Sequence, residues 1–186
     1  MKILMIGNSY TFFNDLPGVL AKKLGAEVRG NLKGGASLID RLDPTSELGR
    51  DCMRLLSEKW DYVVLQDHSR GPVVRREDFF RAATELCALA KKAGAVPVFY
   101  STWAYRKGGP MGNAFGMDYD EMYTELSAAY AKAASDNGAL VAEVGKAFYE
   151  SEDVDALFDP DGSHPSPAGT ELAATVMAEV IRGNAY

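Results

Sequence analysis

The 186-residue chain contains two histidines, His68 and His164, so a histidine acting as a general base is one of these. His164 lies in DPDGSHPSPAG, where Pro165 biases it away from helical geometry and Gly162 permits a tight turn. Asp161 stands three residues earlier. On a turn, a carboxylate at that spacing reaches Nδ1 of the ring, fixes its tautomer and stabilises the imidazolium formed when Nε2 takes a proton. The same spacing also fits an Asx-turn beside an exposed histidine, so the pair signals chemistry only together with a nucleophile. Ser9, in IGNSYTFFND just past the first apolar run, is the candidate; its competing role is to cap the turn that follows. Asp159 is a second carboxylate near His164, disfavoured by its longer spacing.

Short apolar runs alternate with longer amphipathic segments, the pattern of β-α units feeding a parallel sheet. Lys2–Ile6, Ala26–Gly30, Tyr62–Leu65, Val96–Tyr100 and Leu140–Glu143 read as strands. Leu16–Leu24, Leu48–Lys59, Glu77–Lys92, Tyr119–Asp136 and Ala168–Ile181 read as helices. The last carries Leu172, Ala173, Val176, Met177, Val180 and Ile181 at spacings of three and four, with Ser166 as cap and Pro167 opening it. Phe79, Phe80, Ala83, Leu86 and Cys87 form a similar core stripe. The expectation is one α/β domain over residues 1–186: a three-layer α/β/α fold with an open, parallel, five-stranded sheet. Right-handed crossovers leave the carboxyl ends of the strands free for a site. GNSYT, LQDHS and WAYRKGGPMGNAFGMD fall there.

GNSYT is similar to the first block of the SGNH (GDSL-like) serine hydrolases, a G-[DN]-S sequence that carries the nucleophile. DGSH is similar to their last block, DxxH, which carries acid and base. The resemblance spans the chain in block order and implies a flavodoxin-like fold, with Ser9 as nucleophile, His164 as base and Asp161 as its orienter. The family also places a glycine after the second strand and a GxND block after the third, both supplying oxyanion-hole donors. GGASL offers Gly34 and Gly35 at the first. VLQDHS stands at the second and lacks the asparagine, with His68 at its place and Gln66 two residues earlier. The implied oxyanion donors are the backbone N–H groups of Ser9 and Gly35 and a side chain of His68 or Gln66. The reaction implied is hydrolysis of a small ester through an acyl-enzyme. Kinship to carbohydrate-acting members points to removal of an O-acetyl group from a sugar, with lipid esters and thioesters as the other substrates to test.

Composition and missing motifs narrow the other classes. A formal net charge of -6 and a pI of about 5.0 repel a nucleic-acid backbone or an anionic bilayer, so neither is expected as a partner. Arg75 and Arg76, the densest basic spot, read as a solvated pair without function. Cys52 and Cys87 sit among apolar neighbours and read as small buried hydrophobes. No GxSxG elbow, HExxH or phosphate loop occurs, so no metal or cofactor is expected. No apolar run reaches bilayer length. A cytoplasmic location is expected, though a processed leader would leave the same sequence. Nothing in the sequence indicates an oligomeric state. The segment Trp103–Met117 contains Trp103, Tyr105 and Phe115 and reads either as a substrate-binding wall or lid, with Trp103 and Tyr105 stacking on a sugar, or as a loop packed on the core. The alternative from another class is a non-catalytic flavodoxin-like module that binds a small ligand.

Overall fold

The computed structural model describes residues 1–112 and 116–184. Among these, five parallel strands, β1 (Lys2–Gly7), β2 (Glu27–Leu32), β3 (Tyr62–Leu65), β4 (Val96–Tyr100) and β5 (Leu140–Ala142), form a sheet in the order β2-β1-β3-β4-β5. The helices are α1 (Ser9–Phe12), α2 (Leu16–Leu24), α3 (Glu47–Leu56), α4 (Gly71–Val74), α5 (Arg76–Lys92), α6 (Tyr119–Asn137), α7 (Val144–Tyr149) and α8 (Pro167–Asn184).

The pleat of β1 sends Ile3 and Met5 to one face and Leu4 and Ile6 to the other, and all four are fully buried. Leu16 and Leu20 of α2 and Ala173, Met177 and Ile181 of α8 cover the first face. Cys52 and Leu55 of α3, Phe79 and Leu86 of α5, and Leu126 and Tyr130 of α6 cover the second. A sheet covered on both faces is the three-layer α/β/α fold, and its strand order is the flavodoxin-like one. Cys52 and Cys87 are free thiols inside the second core, and burial pushes both up to about 12.

Helix ends follow local chemistry. Ser166 Oγ accepts from Gly169 N at 3.1 Å and caps α8. Asp118 and Glu121 form a capping box on α6, which stops at Gly138 with φ at 51°. The boundaries differ from expectation where side chains misled. β2 runs on to Leu32 because its ladder with β1 continues through Gly30 to the pair Gly7 and Leu32. α3 ends at Leu56, after which Trp60 Nε1 donates to Leu55 O at 2.7 Å. The short helices α1, α4 and α7 have no periodic window long enough to be read from sequence.

The strand order changes direction between β1 and β3, and the crevice at their carboxyl ends collects the loops after β1, β2 and β3. The segment preceding α8 meets them there.

Candidate active site

β1 ends at Gly7, and Asn8 caps α1 by accepting from Tyr10 N at 3.1 Å, so Ser9 is the first helical residue. Gly7 is required by close approach: a Cβ there would collide with Thr11 Oγ1 and Gln66 Oε1. Gln66 Oε1 accepts from Asn8 N at 2.9 Å and Thr11 Oγ1 at 2.8 Å, while its Nε2 donates to Asp67 O. Gln66 is fully buried and its amide is committed to the turn that carries Ser9. The expectation that it donates to an oxyanion is therefore corrected: periodicity set its side of the strand, but packing turned the amide inward.

His164 arrives from the other end of the chain. Its Nε2 lies 2.8 Å from Ser9 Oγ, and its Nδ1 lies 2.6 Å from Asp161 Oδ2. Asp161 Oδ1 meanwhile accepts from the backbone N–H groups of Ser163 and His164, both at 2.8 Å. Burial opposes the charged carboxylate, but the His164 ring and these two N–H donors outweigh it and hold Asp161 below the usual carboxylate range. Asp159 Oδ1 faces Asp161 N at 3.5 Å rather than the imidazole. A carboxylate, an imidazole and a hydroxyl in line at these distances can pass a proton from Oγ to Nε2 with the charge stabilised behind it.

The loop after β2 borders the same crevice. Gly35 has φ at 70°, a left-handed conformation that glycine adopts without steric cost. Asn8 Nδ2 donates to Ala36 O at 3.0 Å and Asp67 Oδ1 accepts from Leu38 N at 2.7 Å, so the neighbouring strand loops grip this one. Arg41, fully buried, donates to Ser37 O at 2.7 Å and to Gly7 O. Arg75 donates to Ser37 Oγ, and Arg76 pairs with Glu125 at 2.9 Å. Arg75 is exposed, as a solvated surface residue would be, and the turn at α4 also aims its guanidinium at the Gly35 loop. Burial pushes Asp67 up to about 6. Burial, then Arg70 and Arg75, lowers His68, so its imidazole is neutral at pH 7 and has one N–H to donate.

Ser9, Gly35, His68 and His164 line a pocket of about 370 Å³ together with Tyr105 and Met111. Behind this lining, buried hydroxyls bond in pairs: Tyr10 and Ser163 are 2.5 Å apart, and Ser69 and Tyr105 are 2.8 Å apart. Trp103 is not a wall. It is fully buried, stacks on Tyr10 at 4.8 Å and Phe148 at 4.1 Å, and donates Nε1 to Ser163 O at 3.0 Å. The expectation of a sugar-stacking Trp103 is corrected, because the core between the sheet and α7 claims its ring. Phe115 lies outside the described residues. Among the described residues, no group of three or more His, Cys, Asp or Glu side chains could hold a metal ion, and no helix is long and apolar enough to cross a membrane.

No family model and no curated protein matches the chain. Solved structures do. A protein of Slackia heliotrinireducens described as an SGNH hydrolase is 44% identical, covers 97% of this chain and 98% of its own, and superposes with a TM-score of 0.93. This chain belongs to the SGNH hydrolases. A DUF4886-family protein from Bacteroides uniformis shares the fold at 22% identity, with a TM-score of 0.79 and coverage of 98% and 83% of the two chains. So does a lipase/acylhydrolase from Enterococcus faecalis, at 17% identity, a TM-score of 0.68 and coverage of 98% and 96%. Membership makes the chain a hydrolase.

Within this SGNH hydrolase the departure from the family pattern lies after β3, where His68 stands on the pocket and Gln66 beneath it. Sequence reasoning passed over Asn8, Tyr10, Ser69 and Ser163, which line the pocket or brace its loops. Asn8 and Tyr10 flank Ser9 inside GNSYT, so the block as a whole was the available signal. Ser163, within DGSH, carried a similar one.

Proposed function

We propose that this SGNH hydrolase is a serine esterase acting as one domain over residues 1–186, in which Ser9 attacks the ester carbonyl while His164 Nε2 takes the Oγ proton. Asp161 holds the His164 tautomer and the imidazolium charge. The tetrahedral intermediate collapses as His164 returns the proton to the leaving alcohol, leaving an acyl group on Ser9 Oγ. Water, deprotonated by His164, releases the acid and restores the hydroxyl. Backbone N–H groups of Ser9 and Gly35 and the neutral imidazole of His68 stabilise the oxyanion, His68 serving where the family uses an asparagine. One such donor contributes about 3–4 kcal/mol to the transition state. The observation that carries this reading is the unbroken line from Asp161 Oδ2 through His164 to Ser9 Oγ, at 2.6 and 2.8 Å, drawn from opposite ends of the chain.

The substrate we infer is a short acyl ester, an O-acetyl group on a sugar. The support is the pocket's lining: Asn8, Ser69, Arg70 and Ser163 stand around Ser9 and His164 with Met111 as an apolar neighbour, a set that matches a polyhydroxylated alcohol better than an alkyl chain. The test is fluorophosphonate labelling together with an ester panel of acetylated sugars, acyl-CoA and p-nitrophenyl esters of increasing chain length. Labelling of wild type that disappears in Ser9→Ala, with activity falling beyond acetate, is expected. Preference for long p-nitrophenyl esters or acyl-CoA overturns the sugar assignment. A folded wild type that is neither labelled nor active overturns the esterase and leaves a small-ligand-binding module.

A further inference from the structure

The turn Phe13-Asn14-Asp15 joins α1 to α2 directly after the Ser9 segment, yet none of its residues enters the reaction above. Asn14 and Asp15 are the non-glycine residues with positive φ among those described, at 51° and 54°. Left-handed backbone is costly for an L residue, least so for Asn and Asp, and such conformations persist where surrounding structure holds them. Asp15 has a local use: its Oδ1 accepts from Gly18 N at 3.2 Å and caps α2.

Asn14 works across the fold. Its Nδ2 donates to Pro165 O at 2.9 Å and to the buried Thr170 Oγ1 at 3.0 Å. Pro165 is the residue that follows His164. Phe13, one residue earlier, lays its ring on the His164 imidazole with centroids 4.2 Å apart and planes 17° from parallel. Tyr10 meets the same imidazole edge-on at 5.4 Å. The left-handed step thus delivers two adjacent side chains to one target, Phe13 to the ring face and Asn14 to the backbone beside it. From the opposite side, Asp159 N donates to His164 O at 2.9 Å and Phe158 bridges Pro165.

We propose that Phe13 and Asn14 are positioning residues that register His164 over Ser9, so that the segment bearing the nucleophile itself aligns the base. The inference rests on the roles assigned above to Ser9 and His164. Neither residue lines the pocket, so the effect falls on proton transfer rather than on substrate binding.

The test uses full-length protein with p-nitrophenyl acetate and a fluorophosphonate probe, at a temperature well below each variant's Tm. Asn14→Gly admits the left-handed backbone but removes both hydrogen bonds; Asn14→Asp keeps the backbone preference but cannot donate to the Pro165 carbonyl. Both are expected to lower kcat and the labelling rate 10- to 100-fold with KM unchanged. Phe13→Leu, which keeps apolar bulk without a flat face, is expected to lower kcat 3- to 10-fold, and Phe13→Tyr to restore it. Wild-type kcat in Asn14→Gly and Phe13→Leu, even with a lower Tm, overturns the proposal, as does a change confined to KM. A wild type that reacts with neither reagent defeats the esterase reading and this inference with it. A reactive wild type, silenced by Ser9→Ala but matched by the Asn14 and Phe13 variants, defeats this inference alone.

Discussion

Replacing Asp161 with asparagine changes one atom, and the structure dictates which way the new amide must face. Asp161 Oδ1 accepts from the N–H groups of Ser163 and His164, each at 2.8 Å, while Oδ2 faces His164 Nδ1 at 2.6 Å. In Asp161→Asn the carbonyl oxygen keeps the place between the two N–H donors, because an NH2 group there would leave both unpaired at about 1–3 kcal/mol each. The amide nitrogen then faces Nδ1 and donates to it. That puts the ring proton on Nε2, and a protonated Nε2 cannot accept from Ser9 Oγ. Two forfeited hydrogen bonds at about 1 kcal/mol or more apiece keep the reactive tautomer to about one part in thirty or fewer. Losing the carboxylate's charge beside the imidazolium adds a smaller amount, because the Asp161 side chain is 46% exposed and solvent screens it. The expected fall in kcat is about 10²- to 10³-fold, or about 3–4 kcal/mol, with the loop still folded. Asp161→Ala, whose gap admits a water able to accept from Nδ1–H, is expected to fall less. Steady-state hydrolysis of an acetate ester from pH 6 to 9, with circular dichroism as a check on folding, measures both. Asp161→Asn within tenfold of wild type, or more active than Asp161→Ala, refutes the tautomer argument.

Three further changes probe the rest of the site and its support. His68→Ala is expected to lower kcat about 100-fold with little effect on KM, and His68→Asn to recover part of it by supplying an amide donor; equal kcat for His68→Ala and wild type removes His68 from the oxyanion site. Burial raises Asp67 to about 6 in the folded state, above its unfolded value near 4, so the native protein binds the proton more tightly and loses stability as pH climbs from about 4 to 6. Asp67→Asn is expected to abolish that slope, about 2 kcal/mol when urea midpoints at pH 4.5 and 7 are compared; a slope that survives the substitution assigns it elsewhere. In Gly145→Ala the new Cβ would strike the backbone carbonyl of Thr102, an obstacle that cannot rotate away, and a loss of about 2–4 kcal/mol in chemical denaturation is expected. An unchanged midpoint shows that the start of α7 shifts freely.

Much of this protein is legible in its sequence because the signals are local. Alternating apolar runs and amphipathic segments specify a covered parallel sheet, and the strand ends then mark where a site must lie. Ser9, Asp161 and His164 stand out for the same reason: two histidines leave few choices, and a carboxylate three residues before one of them acts within a single turn. What lies beyond the reach of sequence depends on which way side chains turn once distant segments meet. Gln66 and His68 share one face of a strand end, yet the turn after β1 takes the Gln66 amide inward while His68 borders the pocket. Trp103 and Tyr105 belong to one loop and both are buried, yet they go to different cores, Trp103 to the one under α8 and Tyr105 to the other, where it borders the pocket. The 2.8 Å between Ser9 Oγ and His164 Nε2 spans 155 residues of chain, and it exists because β1 and α8 pack into the same layered fold. Periodicity reports which face of an element is apolar; only close packing between elements, where each polar atom must find a partner, decides which neighbour each side chain meets.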